Sequence, residues 1–171
     1  MRIEQKLLRM AARQDACRAG LDKLAGMTDR NDMVNLYFEN IDFCLSKDFP
    51  ENAVIAANFG DIINEWGIYL NNSFEVLNRP KIVLLGASHG RVRIDGYNVA
   101  EIFVKHDSVI DLTASGNAFV MVDMFDDTIL EIHASDRAKV CVNHYGGEIH
   151  QERMGEAIVR IREKQKKDLL I

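Results

Sequence analysis

Two short stretches cluster side chains that could do chemistry. VDMFDD (122–127) brings together Asp123, Asp126 and Asp127, and GASHG (86–90) sets His89 between Gly86 and Gly90. Clustered carboxylates are the raw material of a calcium site. Such a site needs six or more converging oxygens, and the spacing here, with Asp107 and Asp111 further upstream, fits no calcium loop. Turn-forming aspartates are the expectation. GASHG has the outline of a phosphate loop, but no Lys-Ser or Lys-Thr follows it and no helix opens there. The other histidines, His106, His133, His144 and His150, read as polar residues just past strand ends. Gly-x-Ser-x-Gly, HExxH and paired Cys-x-x-Cys signatures are all missing from the sequence. Cys17, Cys44 and Cys141 stand far apart inside apolar patterns, as free thiols of a reducing compartment do. The sequence therefore predicts no catalytic residue, no cofactor and no metal.

Composition sets the frame for whatever positions these residues. A chain of 171 residues with 47% hydrophobic and 27% charged side chains can bury a core without disulfides. The net charge of −5 argues against nucleic acid as a partner, because phosphate binding needs a basic surface. The one basic run, RIREKQKK (160–167), alternates with acids and reads as a solvated face. No apolar run approaches the roughly 20 residues that span a bilayer, so no membrane partner is expected. The start, MRIEQKLLRMAARQ, lacks the apolar centre of a signal peptide, and the expected compartment is the cytoplasm, with residence in a virion as a variant.

The expected fold class is α+β: an N-terminal helical domain (1–78), a short parallel β-helix or β-solenoid (79–149) and a C-terminal capping helix (150–171). Ile3, Leu7, Met10, Gln14, Cys17, Leu21 and Leu24 alternate at spacings of four and three, the a/d seam of a coiled coil or helical hairpin. This is the candidate assembly seam, with Gln14 as a polar member able to set register. Gly26 breaks it, and Thr28 or Asp29 can cap a helix over 31–46 whose apolar residues cover most of its circumference. Pro50 suits the first turn of a helix over 50–58, and Asp61 can cap one carrying Ile62, Ile63 and Trp66 up to Gly67. Trp66 and Tyr69 read as core aromatics rather than pocket walls.

From Lys81 the period becomes alternating, in apolar pieces about ten residues apart. Stacking 91–109, 110–128 and 129–147 aligns Ala100, Ala118 and Ala138, then Ile102, Val120 and Val140, then Val104, Val122 and Val142. A period near 19 holding two strands is the form of a solenoid, with alanine at the tight corner and glycine or short polar residues at the others. The helical domain would cover one open end, and a helix with Met154, Ala157, Ile158 and Ile161 on one stripe would cover the other. In this alignment His106 and His144 share a station two coils apart, on the order of 10 Å, too far to share a metal or a hydrogen bond. Phe125 and Tyr145 align one coil apart and are candidate surface aromatics.

The segments ASGNAFVMV (114–122) and ASDRAKVCV (134–142) resemble the β-solenoid of head GIN-type domains of Bacteroidota proteins. YFENIDFCLSKDFP (37–50), together with AKVCVNHYGG (138–147), is similar to small proteins encoded in Bacteroides genomes, prophages and phages. The resemblance implies a solenoid and transfers no catalytic residue. The chain departs from the secreted GIN proteins in lacking a signal peptide, which argues against an adhesin role. The expected function is a non-enzymatic structural or protein-interaction protein, a homo-oligomer through the helical seam or a binder of another protein, of phage or mobile-element origin. One alternative is a solenoid module binding a sugar or a host protein through aromatics such as Phe103, Phe125 and Tyr145. Another is a β-helix acyltransferase with His106 or His144 as base, against which the hexapeptide pattern of those enzymes is missing.

Overall fold

The computed structural model describes residues 1–169, which form two compact units: Met1–Glu65 with the segment from Lys166, and Trp66–Gln165. In the first unit the expected seam is not one helix. α1 (Ile3–Arg13) carries Ile3, Leu7 and Met10, and α2 (Arg18–Leu24) carries Leu21 and Leu24, while Gln14 and Cys17 cap the two helices. Asp15 adopts φ +62°, a left-handed turn that aspartate tolerates better than most residues, and the chain reverses there. Leu7 and Leu24 are buried and Cys17 is exposed, its sulfur accepting the N–H of Gly20 at 3.4 Å. The seam residues thus serve the packing of two short helices.

The remaining helices keep the predicted order with one added break. Asp29 caps α3 (Arg30–Glu39) by accepting the Asn31 N–H at 2.7 Å, and Asn40 separates α3 from α4 (Ile41–Lys47), so the expected 31–46 helix is two. α5 (Asn52–Phe59) and α6 (Ile62–Glu65) follow. No helix among the described residues is long and apolar enough to cross a membrane.

The second unit is a parallel β-solenoid of about five turns with two strands per coil. β1 (Ile68–Leu70), β3 (Lys81–Leu85), β5 (Val99–Val104), β7 (Phe119–Met124), β9 (Lys139–His144) and β11 (Ile158–Glu163) stack in one sheet. β2 (Ser73–Leu77), β4 (His89–Ile94), β6 (Val109–Ala114), β8 (Ile129–Ala134) and β10 (Glu148–Arg153) stack in the other. The coil length is 20 through the middle of the solenoid, where Val99 pairs with Phe119 and Phe119 with Lys139, and the expected 19 in the last coil, where Ile158 pairs with Lys139. Ala118 and Ala138 do share a corner, but Ala100 pairs with Val120, so the expected alignment of the first coil is slipped by two residues. The alternation of inward aliphatics is nearly blind to such a slip, since a shift of two keeps every side chain on its face.

The turns set the period. Gly86, Gly96, His106, Gly116, Asp126 and Asp136 all have φ between +56° and +66° and stand ten residues apart. At 95–98, 115–118 and 135–138 the fourth residue donates its N–H to the carbonyl of the first, which makes each corner a β-turn with a left-handed second residue. Met154-Gly155-Glu156-Ala157 repeats this corner, with Gly155 at φ +63° and Ala157 buried. That corner overrides the helical stripe expected over 150–171. The segment's described residues form most of β10, all of β11 and a 3-10 turn at Lys166–Leu169, and among them only that turn is helical. The turn packs beside α4 in the first unit, and residues 170–171 lie outside the described chain.

Two glycines separate backbone strain from crowding. A Cβ at Gly116 would stand 2.9 Å from the Gly96 nitrogen, whereas one at Gly96 would meet only Asn98 at 3.7 Å. Gly96→Ala is expected to cost about 1–2 kcal/mol, the left-handed penalty alone, and Gly116→Ala at least about 2 kcal/mol more. Urea unfolding of the two variants checks the order, and equal costs would contradict this stacking.

Candidate functional site

The left-handed stations also wire one coil to the next. Gly86 donates its N–H to Nδ1 of His106 at 3.0 Å, His106 donates its N–H to Oδ2 of Asp126 at 3.1 Å, and Gly116 does the same to Asp136 at 2.8 Å. In these three turns the backbone donor is satisfied by the side chain one coil on. Asp126 of the VDMFDD cluster acts here, and Asp123 accepts from Asn143 at 2.7 Å on the β7–β9 pair. These two carboxylates hold neighbouring coils in register.

The histidines fall into the same scheme. His106 aligns with Asp126, while His144 pairs with Met124 on the sheet, so the shared station expected for them does not exist. Nδ1 of His106 accepts a hydrogen bond, which places the proton of the neutral ring on Nε2. His144 has Nδ1 2.8 Å from Glu163 and Nε2 2.8 Å from the Gly147 carbonyl. Nδ1 of His106 is thus engaged by the Gly86 amide, and both nitrogens of His144 lie against oxygen acceptors. His89 meets Asp111 at 3.0 Å, His133 meets Glu152 at 3.2 Å, and His150 meets Glu148 at 2.8 Å.

Partial burial of His144 works against its charged form, but the hydrogen bonds to Glu163 and Gly147 and the Glu163 charge outweigh it and raise its pKa. At Cys44, by contrast, burial alone pushes the thiol up to about 12, so it is no nucleophile at neutral pH.

The aligned pair Phe125 and Tyr145 extends a column whose earlier members, Leu85 and Lys105, were not foreseen. Leu85, Lys105, Phe125 and Tyr145 follow one another every 20 residues at the ends of β3, β5, β7 and β9. The Phe125 and Tyr145 rings stack 4.7 Å apart, with Phe125 fully buried and Tyr145 half-buried, so the pair packs a corner. Lys105 is 1% exposed, its ammonium 3.5 Å from Asp126 and 5.9 Å above the Phe125 ring. Its register with Phe125 was the available signal, hidden by the slipped alignment. Phe103 is buried, and Tyr69 stacks on Phe74 at 3.5 Å within the core.

The last coil differs from the others. Inward columns that are aliphatic along the solenoid end in polar residues there: Val92, Leu112 and Ile132 lead to Gln151, and Ile94, Ala114 and Ala134 lead to Arg153. Val104 and Met124 lead to His144 and Glu163. Ile149 and Val159 remain half-buried, and Met154, Ile158 and Ile161 are exposed. Glu148, Met154, Ile158 and Lys164 donate their N–H groups back to the previous coil. In a parallel ladder alternate residues turn the other way, so Ile149, Gln151, Arg153, Val159, Ile161 and Glu163 aim theirs at the open edge. A shallow groove of about 390 Å³ runs beside this edge, lined by Glu131, His133, His150 and Glu152 among others. Comparison with protein-family models, curated proteins and solved structures returned no match.

Two outcomes test this wiring. Because the folded pKa of His144 is raised, its pairing with Glu163 stabilises fully below about pH 6.5, the unfolded value, and is lost as pH climbs through the folded one. Between pH 5.5 and 8.5 the urea midpoint of the wild type should fall more than that of Glu163→Gln, and parallel profiles would contradict the pairing. Lys105→Ala should cost about 3 kcal/mol in urea unfolding, because it leaves a cavity and strips Asp126 of a cation.

Proposed function

We propose that the protein is a non-enzymatic interaction protein, a rigid two-sheet solenoid that docks a protein partner through the open edges of β10 and β11. One observation carries this reading: the last coil turns the N–H groups of Ile149, Gln151, Arg153, Val159, Ile161 and Glu163 outward beside exposed apolar side chains. Unpaired strand edges are templates for another chain, and natural proteins blunt or cover them. The spread of polar residues through the final core positions supports a reversible contact, since an obligate interface is apolar at its centre. Assembly thus moves from the N-terminal seam to the end of the solenoid.

A photo-crosslinking residue at Arg160, on the outer face of β11, should capture a partner peptide identifiable by mass spectrometry in cells expressing the chain. The same residue at Glu101, in mid-sheet, should not. Equal capture at both positions, or none at Arg160, would overturn the docking reading.

A further inference from the structure

We propose that the occupant of the open end is a second copy of this chain, joined last coil to last coil about a two-fold axis running along the strands. The proposal rests on the docking reading and deepens it. The outer face of β10 carries Glu148, His150 and Glu152, and that of β11 carries Ile158, Arg160 and Arg162, followed by Lys164. All of these are exposed, so one strand of the terminal coil is acidic and the other basic.

That division selects one way of joining two ends. β10 and β11 lie in opposite sheets, linked by the tight corner at 154–157, and run in opposite directions. A two-fold axis along the strands exchanges the sheets and sets β10 antiparallel to the partner's β11, acidic face against basic. The corner places Glu148 across its own coil from the region of Arg162, and the axis carries that relation into the dimer. Glu148 thus arrives within about one residue of the partner's Arg162, and Glu152 between the partner's Ile158 and Arg160. The edge amides of Ile149, Gln151 and Arg153 then face the outward carbonyls of the partner's Val159, Ile161 and Glu163.

The competing arrangements set like charges together. A two-fold axis perpendicular to the sheets pairs β11 with itself, cation against cation, and β10 with itself, acid against acid; like charges directly opposite are destabilising. Head-to-tail stacking would bring the acidic β10 onto β2, whose outer face carries Glu75. It would also need β1, whose Ile68 and Tyr69 are already buried. Six-residue strands and a sheet separation of about 10 Å give an end face of roughly 20 by 10 Å. An interface this small is in the weak, reversible class.

Sedimentation velocity of the full chain from about 1 to 200 µM is the test. The wild type should show a reversible monomer–dimer equilibrium. The double substitution Glu148→Lys with Glu152→Lys should weaken it at least about tenfold, and Arg160→Glu with Arg162→Glu should do the same. An equimolar mixture of the two variants should recover a dimer within about threefold of the wild type, because both strand pairs are again opposite in charge. Circular dichroism verifies that these surface variants fold. A wild type that stays monomeric, variants that dimerise unchanged, or a mixture that fails to recover would each overturn the second copy. Capture of a different protein at Arg160 would also overturn it while the docking reading stands, whereas failure of that reading is seen as no capture at all.

Discussion

A left-handed residue every ten positions is the constraint on which the solenoid depends. With φ near +60° at Gly86, Gly96, His106, Gly116, Asp126 and Asp136, each half-coil closes in a tight turn and the next strand starts in register with the one 20 residues before. Two kinds of residue meet this demand. Glycine takes the conformation without a Cβ penalty; Asp126, Asp136 and His106 accept strain and return it as a hydrogen bond to the preceding turn. At Gly116 the Gly96 backbone stacked against it leaves no space for that device.

Register then delivers the core. Inward columns of Ile, Val, Leu and Ala are closed to solvent between β3 and β9, and each fully buried aliphatic side chain contributes about 1.5–3 kcal/mol. The same geometry draws the ionisable residues of the strands into pairs between neighbouring coils, as with His144 and Glu163 or His133 and Glu152. A parallel stack cannot satisfy its own final strands, and here the closing polar columns and the split of charge between β10 and β11 fall on those strands.

The solenoid was legible because period-two alternation and turn residues recur along the chain, and Ala118 and Ala138 lie on a common corner as the sequence indicated. Register was harder to read, because Ile102 fits equally well opposite Val120 or Val122 when both are inward valines. The last coil was hidden for a different reason. Met154, Ala157, Ile158 and Ile161 fit a helical stripe, while the decisive evidence was Gly155 standing where Asp136 and Gly116 stand in earlier turns. The break of the seam at Asp15 turned on a single backbone conformation, which a heptad pattern does not encode. Lys105 was missed because a lysine within an apolar column reads as exposed until its column is known.

Hydrogen–deuterium exchange of the full chain at low and high concentration tests the central claim most directly. If the last coil is a docking edge filled by a second copy, the amides of Ile149, Gln151, Arg153, Val159, Ile161 and Glu163 become protected only at high concentration. Those of Val120, Val122, Leu130 and Ile132 should be slow throughout. Exchange of the edge amides that is equally fast, or equally slow, at both concentrations would contradict the account.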